Sequence, residues 1–126
     1  MTTDRDEILE RYRWATQDPS AQAAVLAEIF RRVRGGDEAR LLREDFAGNG
    51  ADAVAWVADV SGRRAFAVDA DPVAIAHGQQ RARGLLGRRA RAIDWHVADV
   101  HALAPPAVPR ADLLRLIGTL LVGLAG

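Results

Sequence analysis

Acidic side chains recur where three apolar runs of the sequence end. They are the pair Glu44 and Asp45, then Asp69, and then Asp99. Each run predicts a β-strand, and ligands of open parallel sheets bind outside the carboxyl ends of the strands. An acid after the first strand can hold an ammonium group, one after the second can accept both hydroxyls of a ribose, and one after the third can accept from the exocyclic amine of adenine. The acids therefore predict a pocket for a nucleoside that carries an amino group.

A glycine turn follows the first pair of acids. The stretch 41–53 reads LLREDFAGNGADA, in which Gly48 and Gly50 separate a short apolar run from an alanine-rich helical pattern. Glycine has no Cβ, so the backbone can turn sharply there and approach a ligand closely. The N-terminus of the next helix offers N–H groups to a polar or anionic ligand group. Strand, glycine turn and helix form the opening unit of a nucleotide-binding α/β domain.

Helices and strands that would position these residues alternate along the chain. Apolar periodicity predicts helices over about 4–16, 21–33, 51–60 and 72–86, and strands over about 40–45, 64–69, 90–97 and 111–117. Asp71 is the predicted cap of the helix that begins at Pro72, and Gly78 and Gly84 are expected to weaken that helix. Alternating units give a parallel sheet with right-handed crossovers. The predicted fold class is α/β, a Rossmann-like parallel sheet with helices on both faces, preceded by two helices.

Each acid also has a purely structural interpretation. Asp69 and Asp71 can form an Asx turn and a helix cap in front of Pro72. Asp99 alone is a common loop residue, and Glu44 can serve as a cap or as a support for other residues. The joint spacing of the acids and the glycine turn on consecutive strand–helix units favours ligand binding.

The overall composition is that of an ordinary soluble globular domain. The chain has 126 residues, of which 49% are hydrophobic and 27% charged, enough for one domain with a core. Seventeen basic and seventeen acidic side chains cancel, so no overall field attracts nucleic acid or an acidic membrane. The absence of cysteine excludes disulfides and cysteine-ligated metals, and the three histidines lack metal-ligand spacing. Without a signal-peptide pattern or a membrane-spanning run, a bacterial cytoplasmic protein is expected.

The sequence resembles the class I S-adenosylmethionine-dependent methyltransferases. Residues 42–50, LREDFAGNG, are similar to a bacterial branch of that superfamily with LREDFCGT at this place. Residues 67–72, AVDADP, and 97–100, VADV, resemble the ends of its second and third strands, and Tyr12 with residues 17–19, QDP, resembles an upstream segment. The resemblance covers about residues 8–115. It implies the N-terminal half of the methyltransferase fold, as a single incomplete domain over residues 1–126.

The resemblance also implies the cofactor, S-adenosylmethionine or its product S-adenosylhomocysteine. Phe46 replaces the family's usual first glycine, so a less open turn is expected. Whether Glu44 or Asp45 faces the ligand stays open, since neighbouring strand residues point oppositely. The family pattern assigns the methionine end to Glu44, Ala47, Gly48 and Gly50, the ribose to Asp69, and the adenine to Ala70, Asp99 and Val100.

The C-terminal stretch departs from the family pattern. A complete class I domain has a larger sheet, whereas this chain ends after its fourth predicted strand, and residues 118–126 read GTLLVGLAG. We expect a truncated or frameshifted end from about Leu114 that lacks the acceptor-binding half, so no catalytic residue is assigned and methyltransferase activity is left open. An exposed fourth-strand edge and an apolar C-terminus would favour self-association.

Two other functions are compatible with the sequence. Gly48, Gly50 and Ala53 with Asp69 also match a dinucleotide fingerprint, which suggests an NAD-dependent oxidoreductase, although two acids would repel a pyrophosphate. A non-catalytic interaction fragment is the third interpretation. A nucleic-acid partner is not favoured, because the arginine cluster at 81–91 contains no aromatic residue and fits a solvated helix face.

Overall fold

Helices and strands alternate along the described part of the chain. The computed structural model describes residues 6–8, 10 and 18–99, and the backbone of residues 113–116 and 119–122. Residues 6–8 and 10 are helical, and the rest of the first predicted helix lies outside the described residues. The elements are α1 (Pro19–Val33), β1 (Leu41–Asp45), α2 (Ala51–Asp59), β2 (Arg64–Asp69), α3 (Pro72–Leu86), a 3₁₀ segment (Gly87–Ala92), β3 (Ile93–Val97), β4 (Leu113–Leu116) and β5 (Thr119–Val122).

The strands form one sheet in the order β3-β2-β1-β4-β5. Strand β1 pairs in parallel with β2 and with β4, and β2 pairs in parallel with β3. Parallel neighbours need crossover connections, which α2 and α3 supply between the first three strands. The predicted α/β class with a Rossmann-like parallel sheet is confirmed, and the bounds of β2 and α3 are those predicted from the sequence.

Two parts of the sheet differ from the prediction. Strand β5 pairs antiparallel with β4, so β4 lies between β1 and β5, and the predicted exposed edge of the fourth strand is wrong. Self-association stays a prediction. The third strand begins at Ile93, because residues 87–92 form the 3₁₀ segment instead of extended chain.

Short polar side chains fix where the helices begin. The Asp18 carboxylate accepts from the N–H groups of Ser20 and Ala21, so α1 starts at Pro19. The predicted cap Asp71 is confirmed, since its carboxylate accepts from the Val73 N–H at 2.9 Å. Both caps satisfy N–H groups that have no partner within the helix.

The main core lies between the helices and one face of the sheet. Leu26, Phe30 and Trp56 from α1 and α2 pack there with Leu42 and the small residues of β2. Since side chains alternate along a strand, Glu44 shares the helix face with Leu42. Arg43 and Asp45 share the opposite face with their β2 neighbours Phe66 and Val68, which are buried with Ala98.

Trp56 anchors α2 to the amino ends of two strands. Its indole N–H lies 3.3 Å from the Arg40 carbonyl and 3.1 Å from the Arg64 carbonyl. The Arg63 guanidinium stacks 3.8 Å from the indole ring centroid. Burial lowers the pKa of Arg63 from its ordinary value, and Asp59 opposes this effect. These contacts leave the first turn of α2 at the carboxyl edge of the sheet, where the predicted site lies.

No described helix combines the length and the apolar character needed to cross a bilayer. The cytoplasmic location stays a prediction.

Candidate functional site

Three left-handed residues alternate in the loop between β1 and α2. Phe46 has φ 59°, Gly48 has φ 59° and Gly50 has φ 69°. Glycine adopts this conformation freely, whereas a residue with a Cβ does so at a cost of about 1 kcal/mol or more. Phe46 therefore keeps the left-handed backbone that a glycine would adopt and adds an aromatic side chain. The residue as a whole is 45% exposed.

Backbone hydrogen bonds fasten this loop to the end of β2. The Ala47 N–H donates to the Val68 carbonyl at 2.8 Å, and the Gly50 N–H donates to the Ala47 carbonyl at 2.9 Å. Between them, the Gly48 N–H donates to Asp69 Oδ2 at 2.8 Å. The glycine turn and the acid after the second strand, which are 21 positions apart in sequence, are thus in direct contact.

The Asp69 carboxylate is held on both oxygens. Oδ2 accepts from Gly48, and Oδ1 accepts from the Asp71 N–H at 2.9 Å. This Asx turn confirms the structural interpretation of Asp69. A carboxylate oxygen can accept about two hydrogen bonds, so each oxygen keeps capacity for a ligand hydroxyl. The half-buried carboxylate is thus oriented by the fold before any ligand arrives.

The two acids that end β1 have different surroundings. Asp45 is 4% exposed and forms a bidentate pair with Arg43, with Nε to Oδ1 at 2.9 Å and Nη2 to Oδ2 at 3.0 Å. Glu44 is 6% exposed and lies on the opposite face of the strand, which is the face that α2 packs against. Arg43 neutralises Asp45, which leaves Glu44 as the β1 acid on the helix side of the sheet.

Trp95, on β3, packs closely against both the glycine turn and α3. A Cβ at Gly50 would lie 2.4 Å from Trp95 Cη2. A Cβ at Gly78 would lie 2.4 Å from the Asn49 carbonyl oxygen and 2.6 Å from Trp95 Cζ3. The sequence indicated Gly78 only as a weak point in a helix. In the structure it is the position at which α3 approaches the candidate site, and no side chain fits there without displacing a neighbour.

The end of β3 brings the remaining predicted residues to the same edge. Asp69 is the register partner of Val97, and the Ala98 N–H donates to the Asp69 carbonyl at 3.0 Å. Ala70 and Asp99 are both exposed there. Val100 lies outside the described residues. Among the described side chains, no three acids or histidines come together as a metal site.

One buried polar residue was not indicated by the sequence. Gln22, in the first turn of α1, is 1% exposed, and neither amide atom has a hydrogen-bond partner among the described residues. A buried amide without a hydrogen-bond partner costs about 1–3 kcal/mol of stability. Only its place in the apolar face of α1 could have indicated it.

No family model and no curated protein matches this chain, whereas a number of solved structures do. The amino pentose methyltransferase CalS10 from Micromonospora echinaspora, solved with S-adenosylmethionine, is 18% identical, with a TM-score of 0.59 over 92% of this chain and 42% of its own. The plantazolicin methyltransferase BpumL with S-adenosylhomocysteine is 12% identical, with a TM-score of 0.63 over 90% of this chain and 41% of its own. The N-terminal domain of EvdMO1 with S-adenosylhomocysteine is 19% identical, with a TM-score of 0.59 over 90% of this chain and 53% of its own. The chain therefore has the Rossmann-like methyltransferase fold and spans about two fifths to one half of these proteins.

Proposed function

We propose that this chain binds S-adenosylmethionine and forms the cofactor-binding part of a methyltransferase. The observation that carries the proposal is the Asp69 carboxylate, fixed by the Gly48 N–H at 2.8 Å and by the Asp71 N–H at 2.9 Å. It is a rigid double acceptor beside a glycine turn, which suits the two hydroxyls of a ribose. The complexes of CalS10 and BpumL with this cofactor or its product support the same ligand class.

In this proposal the ammonium group of the methionine end is held by Glu44. We assign this role to Glu44 and not to Asp45, because Arg43 already compensates the charge of Asp45 in a bidentate pair. A buried carboxylate attracts a cation more strongly than an exposed one, because water screens the interaction less. The backbone of Ala47, Gly48 and Gly50 lies beside the methionine end, with the Gly48 N–H already donated to Asp69.

The adenine end is proposed to lie against Ala70, Asp99 and Val100. The exposed positions of Ala70 and Asp99 at the carboxyl edge, on either side of the Ala98–Asp69 hydrogen bond, support this placement. A carboxylate at Asp99 accepts from the exocyclic amine of adenine. The proposal for Val100 depends on the family pattern alone.

The proposed cofactor supplies a methyl group on a sulfonium, and the residues of this chain supply binding and orientation. Glu44 and Asp69 hold the two ends of the ligand from different strands, and the sheet fixes the separation between these strands. The methyl acceptor and any catalytic base are left without an assignment, because no described residue identifies an acceptor class.

An NAD-dependent activity is disfavoured by the charge beside the turn. Glu44 and Asp45 are both buried at the end of β1, next to the glycine turn. A pyrophosphate placed at this turn would lie beside two groups of like charge.

Calorimetric titration with S-adenosylhomocysteine, with NAD in parallel, tests the proposal. We expect binding of the first ligand only. Asp69→Ala should weaken it by about tenfold or more, the loss expected for charge-assisted hydrogen bonds. Asp71→Ser is the matched control, because it removes one negative charge two positions away and keeps an N-cap side chain. Equal loss in both variants would refute the role of Asp69, and binding of NAD alone would refute the proposed ligand.

Glu44→Gln and Asp45→Asn test the assignment at β1. Each substitution removes one charge at nearly constant volume. We expect the S-adenosylhomocysteine affinity to fall in the first variant and to stay within about twofold in the second, since Asp45 faces Arg43. The reverse order of effects would exchange the two roles.

A further inference from the structure

A cavity of about 460 Å³ lies beside the edge strand β3, and Trp95, which also packs against the glycine turn, forms part of its wall. Its walls come from the C-terminal half of α3 and from the 3₁₀ segment, with Arg83, Arg88 and Arg91 around it. Gln79 and Trp95 are the other large side chains in the lining. The cavity thus combines three cationic groups, one neutral amide and one aromatic ring.

The arginines around this cavity belong to a long stretch of sequence that contains no acidic residue. Residues 72–93 contain five arginines and no acid. Arg89 has a structural task, because its guanidinium donates to the carbonyls of Val57 and Ala58 at the C-terminal end of α2. Arg83, Arg88 and Arg91 form no ion pair with any residue in the described ranges.

Helix electrostatics account for only part of this arrangement. Arg83 lies in the last turn of α3, where a cation is favoured by the negative end of the helix dipole. Arg88 and Arg91 lie beyond the helix in the 3₁₀ segment and add like charge to the same cavity. All three arginines are exposed, so water screens their mutual repulsion, and a bound anion would lower it further.

We propose that this cavity binds a small phosphate-bearing ligand, at a site separate from the proposed cofactor pocket. Guanidinium groups donate in forks that match phosphate oxygens, and three arginines line this one cavity. Gln79 adds a neutral donor, and Trp95 offers an apolar wall to the organic part of the ligand. A single concave cavity on a chain of zero net charge fits a small ligand better than the extended basic stripe expected for a nucleic acid.

Titration with inorganic pyrophosphate at constant ionic strength, followed by calorimetry, tests this site. We expect saturable one-to-one binding that Arg88→Gln weakens by about three- to tenfold, as for the loss of a partly exposed charge-assisted hydrogen bond. Arg81→Gln is the matched control, because it removes the same charge from the exposed surface of α3 outside the cavity. Equal weakening in both variants, or no saturable binding, would overturn the proposal.

Two further measurements distinguish a small-ligand site from a nucleic-acid surface and from a structural role of Arg88. A single-stranded oligonucleotide that binds more tightly than pyrophosphate, with the same dependence on Arg88, would overturn the small-ligand proposal in favour of a nucleic-acid surface. Arg88→Gln should leave the unfolding temperature and the affinity for S-adenosylhomocysteine unchanged. Loss of pyrophosphate binding together with a lowered unfolding temperature would instead assign Arg88 a structural role.

Discussion

Replacement of Gly78 by alanine tests the close approach between α3 and the glycine turn. In an open helix this change stabilises by about 1 kcal/mol, because alanine loses less backbone entropy than glycine on folding. At Gly78 the new Cβ would lie 2.4 Å from the Asn49 carbonyl oxygen and 2.6 Å from Trp95 Cζ3. Neither neighbour is the free end of a flexible chain, and overpacking of this kind costs about 1–3 kcal/mol. We therefore expect Gly78→Ala to be neutral or destabilising by up to about 2 kcal/mol.

Gly84→Ala is the matched control on the same helix. A Cβ at Gly84 would meet nothing within 4 Å, so the full gain of about 1 kcal/mol should appear, or an increase of about 3–6 °C in the unfolding temperature. Thermal unfolding of both variants measures the difference, and S-adenosylhomocysteine calorimetry measures its effect on the turn. Gly78→Ala should weaken binding, since Asn49 or Trp95 must shift, and Gly84→Ala should not. Equal stabilisation by both substitutions would refute the close contact.

Three other substitutions test single features of the structure. Gln22→Leu should stabilise the free protein by about 1–2 kcal/mol in chemical denaturation, since it removes a buried amide without described partners. The same change at exposed Gln80 should alter stability by less than about 0.5 kcal/mol. Destabilisation by Gln22→Leu would show that the amide is satisfied. Arg43→Ala should destabilise by about 2–4 kcal/mol because it leaves buried Asp45 unpaired. The same substitution should cost less in a protein that already carries Asp45→Asn. If the costs of the two single substitutions simply add in the double variant, the pair is not coupled. Asp18→Ala should destabilise by about 1 kcal/mol through loss of the α1 cap, and an unchanged denaturation midpoint would contradict the observed cap.

The sequence predicted most of the elements that position the site, because local physics determines them. Asp71 followed by Pro72 is a strong helix start, and the apolar run of 64–69 between turn signals predicts β2 with its observed bounds. The residues 118–126 carried no such signal. An uncharged run of Leu, Val, Gly and Ala shows no alternation, so the antiparallel pairing of β5 follows only from contact with β4. The role of Gly78 was equally hidden, since its neighbours Asn49 and Trp95 are distant in sequence.

The sequence left open whether Asp69 serves the fold or a ligand, and the structure makes these roles compatible. The N–H groups of Gly48 and Asp71 each use one acceptor position on a different oxygen, so both oxygens stay able to accept from a ligand. Because these bonds fix the carboxylate in advance, a bound ribose would not have to order it, and less affinity would be lost to conformational entropy. The same bonds tie the glycine turn to β2, so Asp69→Ala should lower both stability and affinity. Asp71→Ser should leave the affinity unchanged, because its backbone N–H can still donate to Asp69 Oδ1.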